Sequence, residues 1–415
     1  MAPGGFPFEW ALGAVFTSVV HALFHPLFWL VIVLVAFQYR RIAQLRAGFF
    51  GARGNSILAD TLTATAYGFG GGLIGGYLIF LTGITIHGSG LFYLLPVAIL
   101  LMLVNPRLLC FAYGGGVLAV SNLLFGFPDI SIPTVMALVA ILHFVESILI
   151  LASGHLGAVP AYIRLPGGRI VGGFTLQKFW PIPIVALTIV TGTMAPGMEL
   201  VAMPEWWPLI KPDLPFGTGT GTVVFAMMTL VAGLGYADIA TSRLPADKTR
   251  ISALYLAGYS VTLFVLAVLA LSGGGAAWLA ALFAPLGHEL IIHISKHMEL
   301  HSRPLFVPHP AGLMVLDVLP HSPAWRAGIR SGDVIVEING FRVHTRADMH
   351  PALVQPGLKE VGYLRRGTHF RRENVRLSAG ELFGVMPVPE GTERVYLELD
   401  GTPPVKRWLE RWRGV

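Results

Sequence analysis

Charge is scarce in this 415-residue sequence: Asp, Glu, Lys and Arg make up 13% of it. A soluble domain carries about 25%. That shortage excludes a soluble body of this length. Cysteine is nearly missing as well. The single Cys110 excludes a disulfide framework and any CxxC redox or metal pair, and within its apolar run it reads as a buried structural thiol. No Lys or Arg precedes the first apolar run, the first being Arg40, so no cleavable signal peptide is expected. Low-complexity tracts and a clear internal repeat are also lacking.

Apolar residues are abundant: 54% of the chain is hydrophobic, with a mean hydropathy of +0.66. The few charges are unevenly placed. Of the 52 charged residues, 29 fall from His297 onward, leaving 23 for the first 296 positions. The expected architecture is an α-helical polytopic membrane domain over 1–296, a small β-rich (α+β) domain over 297–390, and a tail over 391–415.

Runs of about 20 apolar residues can cross the hydrocarbon core as helices. Nine are read, at 11–37, 63–86, 89–105, 107–125, 132–153, 180–199, 218–239, 250–272 and 275–295. His25-Pro26 predicts a kink in the first, or a hairpin. On one side the intervening loops hold Arg40, Arg41, Arg46, Arg53, Arg107, Arg164, Arg169, Lys178, Arg243, Lys248 and Arg250, and on the other only Lys211. This asymmetry predicts that the basic loops and the C-terminal domain face the cytoplasm. It also accounts for much of the +6 formal charge without nucleic acid. Glycine is dense at Gly70, Gly71, Gly72, Gly75 and Gly76 and again at Gly114, Gly115 and Gly116; Gly71 with Gly75, and Gly72 with Gly76, have small-xxx-small spacing for close helix packing, within the chain or between copies.

From Gly312 the pattern changes to short alternating segments. Ser322-Pro323-Ala324, Gly328-Ile329, Gly332-Asp333 and Ile335 to Asn339-Gly340 follow in order. This resembles the PDZ signature of bacterial HtrA, site-2 and C-terminal processing proteases. Ser322 can cap a helix that starts at Pro323, and Asn339-Gly340 is a hairpin signal. Arg346 to Leu353 reads as the helix beside the peptide groove, with Met349 and Leu353 facing it. A PDZ domain adds its ligand as a strand beside a loop with a hydrophobic-Gly-hydrophobic core. Two stretches compete for that loop. Leu305-Phe306-Val307 lacks the glycine, and Leu382-Phe383-Gly384-Val385 has it after the signature. In the tail, Val405, Trp408, Leu409 and Trp412 share one face of a short basic amphipathic helix suited to an anionic membrane surface or to packing back on the domain.

A tethered PDZ domain raises the question of a site-2 metalloprotease, which needs two His at i and i+4 with an adjacent Glu. The nearest string, His288-Glu289-Leu-Ile-Ile-His293, sets its histidines about 140° apart on the helical wheel, which is wrong for one ion. HtrA-type catalysis needs a soluble β domain that the first 296 residues exclude. No catalytic residue, metal or cofactor is expected. Ionisable groups in the apolar part still need explanation, because they are costly there. His21 and His25 lie i, i+4; His143 and Glu146 lie i, i+3; His288 and Glu289 sit late in the last span. Interhelical hydrogen bonds are the plain reading, and a metal-binding or proton-relaying cluster is the alternative.

The chain as a whole resembles the MinJ family of polytopic PDZ proteins, the cell-division topological determinants. The resemblance rests on His25-Pro-Leu-Phe-Trp29, Leu142-His-Phe-Val-Glu146, Ser153-Gly-His155, Gly172-Gly-Phe-Thr-Leu-Gln-Lys-Phe-Trp-Pro-Ile-Pro183, Gly287-His-Glu289, Arg303-Pro-Leu-Phe306 and Val315-Leu-Asp-Val-Leu-Pro-His-Ser-Pro323. It implies a scaffold in the bacterial cell membrane that bridges DivIVA-type and MinD-type proteins at the septum during division-site selection. A membrane protease or protease regulator is the alternative.

Overall fold

A computed structural model describes residues 6–50, 56–86, 90–190, 201–211, 224–391, 393 and 395–398. The amphipathic helix expected at 405–412 lies outside them.

The first apolar run is two helices, α1 (Phe8–Ala22) and α2 (Pro26–Phe50). Proline has no N–H to donate and fits the first turn of a helix, so Pro26 opens a new helix instead of kinking one. Next come α3 (Ile57–Thr82), the short apolar α4 (Leu91–Val104) and α5 (Phe111–Phe125), and α6 (Ile132–Ser153). After a three-strand segment follow α7 (Pro245–Leu269) and α8 (Gly274–His301). Five helices, α2, α3, α6, α7 and α8, are long and apolar enough to cross a membrane. The runs expected as third and fourth spans, α4 and α5, are shorter, at 14 and 15 residues.

The runs expected as sixth and seventh spans differ in kind. After β1 (Ala158–Arg164), their described parts belong to two strands, the 21-residue β2 (Ile170–Val190) and the 17-residue β3 (Val224–Ala240). Residues 191–200 and 212–223 lie outside the described set. Pro181 and Pro183 explain the change, since two prolines a step apart defeat a helix interior. β2 pairs with β3 from Phe174 to Val190 but with β1 only up to Leu176. Beyond that point, among the described residues, one edge of β2 meets no named strand, only an isolated bridge from Thr85 to Leu187, and both prolines turn their missing N–H toward it. That edge lies against α3. A Cβ on Gly68 would sit 2.1 Å from the Pro181 carbonyl oxygen, and one on Gly72 would sit 2.0 Å from that of Pro183. Gly71 meets Leu149 of α6 instead, and Gly75 meets both Ile184 of β2 and Val145 of α6. Glycine therefore brings α3 onto a strand backbone as well as onto another helix, all within the chain. Strand backbone at membrane depth needs such protein cover, and most of β2 is buried.

The C-terminal part contains β4 (Leu313–Val318), α9 (Pro323–Arg326), β5 (Val334–Ile338), β6 (Phe341–Arg342), α10 (Arg346–Val354), β7 (Gly357–Arg365), β8 (His369–Leu377), β9 (Val385–Pro387) and β10 (Leu397–Glu398). One sheet runs β8-β7-β5-β4-β9, with β6 on β5; the other runs β10-β1-β2-β3. β10 thus returns to pair in parallel with β1. The end of α8, which leads into the C-terminal part, is held by buried links to the segment after β3. Glu299 at the end of α8 accepts the backbone N–H groups of Thr241 and Ser242, each at 2.9 Å, and pairs with Arg243 at 3.0 Å. Beside it, buried Lys248 reaches Asp238 at 3.1 Å.

Candidate functional site: a PDZ groove and a buried side-chain cluster

The signature residues take the positions their chemistry suits. Ser322 Oγ accepts the Trp325 N–H at 3.2 Å and caps α9, with Pro323 next. Ala324 is fully buried, and Gly328 and Gly332 hold φ of 79° and 85°. Asn339 and Gly340 both have positive φ, which makes the tight β5–β6 turn. Asp333 does more than turn the chain. It is buried, accepts the N–H groups of Arg330 and Arg366, and faces Arg365 at 3.5 Å.

The competition for the peptide loop is resolved by position. Phe306 is fully buried against Phe174 of β2, and its carbonyl accepts the Gly172 N–H at 2.9 Å. The Leu305 N–H goes to the Thr241 carbonyl. Leu305-Phe306-Val307 is therefore a seam between β2 and the C-terminal domain, with no part in a groove wall. Leu382 to Val385 instead lead into β9. The Phe383 carbonyl accepts the Ala324 N–H and the Gly384 carbonyl accepts the Leu319 N–H. Gly384 has φ of 84°, and a Cβ there would meet Ser322 at 2.3 Å. Phe383 is buried in the domain core, against which Val385 and, from α10, Met349, Ala352 and Leu353 also pack, while Leu382 is exposed. This hydrophobic-Gly-hydrophobic loop, strand β9 and α10 are the elements a PDZ groove needs.

One end of the groove is closed from outside the domain. The Val388 N–H bonds to Met314 of β4, so the carbonyl of the same peptide unit, Pro387, points to the free edge. There it accepts the Tyr162 hydroxyl of β1 at 3.0 Å. Arg346, in the first turn of α10, donates to that hydroxyl and lies over the Tyr162 ring. Thr345 and Asp348 cap α10 reciprocally. The N–H groups of His344 and Thr345 hold the Asp348 carboxyl below the usual carboxylate range.

A PDZ domain family model matches residues 314–357. The cell division topological determinant MinJ of Bacillus subtilis (strain 168) is 26% identical over 352 residues, covering 79% of this chain and 83% of that protein. The chain thus carries a PDZ domain and is similar to MinJ over most of both lengths. A second relative, HhoA of Synechocystis sp. (strain ATCC 27184 / PCC 6803 / Kazusa), named as a serine protease, is 42% identical over 57 residues. That match spans only 14% of each chain.

In the helical part of this MinJ-like protein, the expected polar residues separate into groups. His21 and His25 do not share a helix face, because α1 ends at Ala22. Both are exposed, and His25 Nδ1 accepts the Leu27 N–H at the start of α2. His293 stacks toward His297, away from His288, as their spacing requires. His143 and His288 do converge, with ring centroids 5.1 Å apart. Cys110 joins them: its Sγ lies 3.1 Å from His143 Nε2 and 3.9 Å from His288 Nε2. Glu289 accepts the Tyr113 hydroxyl and pairs with Arg107 at 3.2 Å. Glu146 lies within electrostatic range of Cys110. The thiol's part went unseen in the sequence because Cys110 sits 33 residues from His143 and 178 from His288. No local spacing links them.

Proposed function

We propose that this protein is a membrane-anchored adaptor in division-site selection, with its PDZ groove in the cytoplasm as the docking element. The observation that carries this reading is the groove itself, a glycine-containing loop, the free edge of β9 and the apolar side of α10 on a polytopic anchor. The likeness to a cell division topological determinant over most of both chains supplies the process. Partners of the DivIVA and MinD types follow from the same likeness. The residues proposed to line the groove are Met349, Leu353, Leu382, Gly384 and Val385, with Phe383 anchoring the loop from the core. The cytoplasmic side is supported by the basic loops. Replacing two helical spans by the β2–β3 hairpin leaves that argument intact, because a hairpin also returns to the side it left. Arg164 and Arg243 remain at its base.

A membrane protease is the second reading, favoured only by the short HhoA match; the His288/His293 spacing speaks against a site-2 centre. The test is to image a fluorescent fusion in dividing cells, with and without residues 297–415, and to crosslink partners. The adaptor reading expects enrichment at division sites that needs the C-terminal part. Uniform membrane distribution of the full chain, with no division protein crosslinked, would overturn it.

A further inference from the structure

Cys110 at the start of α5, His143 in the middle of α6 and His288 in α8 bring one sulfur and two ring nitrogens within 4.8 Å of one another. Their protons can be located from their neighbours. His143 Nδ1 lies 2.8 Å from the Val139 carbonyl, which only accepts, so Nδ1 carries the proton and Nε2 presents a bare lone pair. Tyr113 gives its hydroxyl proton to the Glu289 carboxylate. Toward His288 Nδ1, at 3.5 Å, the Tyr113 oxygen can therefore only accept. His288 Nε2 is then bare as well. Three lone-pair donors face one another and share a single proton, that of the thiol. It can serve one nitrogen and leaves the other against the sulfur.

A cation satisfies all three. We propose that Cys110 Sγ, His143 Nε2 and His288 Nε2 form a metal site for an ion of the zinc–copper class. This inference is independent of the groove and its partners. A thiolate with two imidazoles is a donor set such ions prefer. Tetrahedral zinc, with bonds of about 2.3 Å to sulfur and 2.0–2.1 Å to nitrogen, sets sulfur and nitrogen about 3.5 Å apart. The observed 3.1 and 3.9 Å bracket that value. Both rings are oriented through their outer nitrogens, one by a carbonyl and one by the Tyr113–Glu289 pair, as in carboxylate-supported metal sites. Tyr259 packs edge-on against both imidazoles, 5.5 Å from each. On binding, the S–H bond breaks, the metal–sulfur bond forms and the proton leaves to solvent, with no change of oxidation state. Thiolate and divalent ion leave one positive charge, within electrostatic range of Glu146, and a water would complete the coordination. The ion would tie three helices together, among them α8, which leads into the PDZ domain.

The test uses the full-length protein in detergent, purified without chelator. Elemental analysis is expected to find about one zinc or copper per chain, lost in Cys110→Ser, His143→Gln and His288→Gln and kept in His25→Ala. A second readout needs no variant. Cys110 is the only cysteine, so maleimide labelling reports on it alone. Labelling is expected to be slow as purified, fast after chelation and slow again once zinc is restored. Three results would overturn the site: no metal as purified or after zinc addition, metal retained by all three variants, or labelling indifferent to chelator and zinc.

Discussion

The helical body and the PDZ domain are written in different ways. In the PDZ domain each turn carries its own instruction: a serine cap, a proline at a helix start, a glycine at positive φ, an Asn-Gly hairpin. In the body, long apolar runs look alike whether they become α6 or β2. Periodicity cannot separate a buried helix from a buried strand; partners and prolines do so. A substitution in the body should therefore act through contacts far away in sequence, whereas one in the PDZ domain should act locally.

The largest expected effect is at the junction of the two. Glu299→Ala leaves Arg243 and two buried N–H groups without their acceptor. Breaking a buried, hydrogen-bonded charge of this kind costs about 3–5 kcal/mol. Thermal unfolding of the full chain in detergent should show it, and an unchanged midpoint would mean the two regions are not joined through α8.

Next is the α3–β2 contact. Gly72→Ala forces a methyl group onto the Pro183 carbonyl and should cost about 1–3 kcal/mol, the usual range for overpacking. Gly70→Ala on the same helix meets nothing within 4 Å and should be neutral or slightly stabilising, since alanine is the better helix former. Equal effects from the two would argue against the strand.

That strand also marks where sequence reading stopped. The PDZ signature and the five long helices were legible because cap chemistry and apolar length are local properties. β2 was read as a span because Pro181 and Pro183 were weighed less than the apolar run around them. The groove loop was left between two stretches, although Gly384, in the left-handed region, carried the deciding signal. Cys110 read as inert because its partners lie on other helices.

A smaller effect, set by pH, comes from β4. Burial pushes the Asp317 carboxyl up to about 6, even with Arg46 of α2 at 3.6 Å. Because the folded value exceeds the unfolded one, this group adds stability as pH falls from about 6 toward 4, and the contribution is lost as pH rises through 6. Asp317→Asn should flatten the thermal midpoint across that window. A wild-type slope that persists in the variant would assign it to other groups.

The smallest is at the closed end of the groove. Tyr162→Phe frees the Pro387 carbonyl for an incoming strand. One hydrogen bond is worth about 0.5–1.5 kcal/mol net, so peptides selected on the wild-type domain should bind about 2- to 10-fold more tightly in titrations. Weaker binding would make Tyr162 part of the docking surface instead of its limit.

The sequence by itself determined that most of the chain belongs with lipid and that its last quarter is a PDZ domain, since charge density, apolar length and turn chemistry are set residue by residue. Only the tertiary structure decided that two apolar runs pair as antiparallel strands, that Leu382 to Val385 lead into a strand beside β4, and that a lone thiol meets two imidazoles. Each of those outcomes depends on which distant segment supplies a backbone partner, a close approach or a second ligand atom.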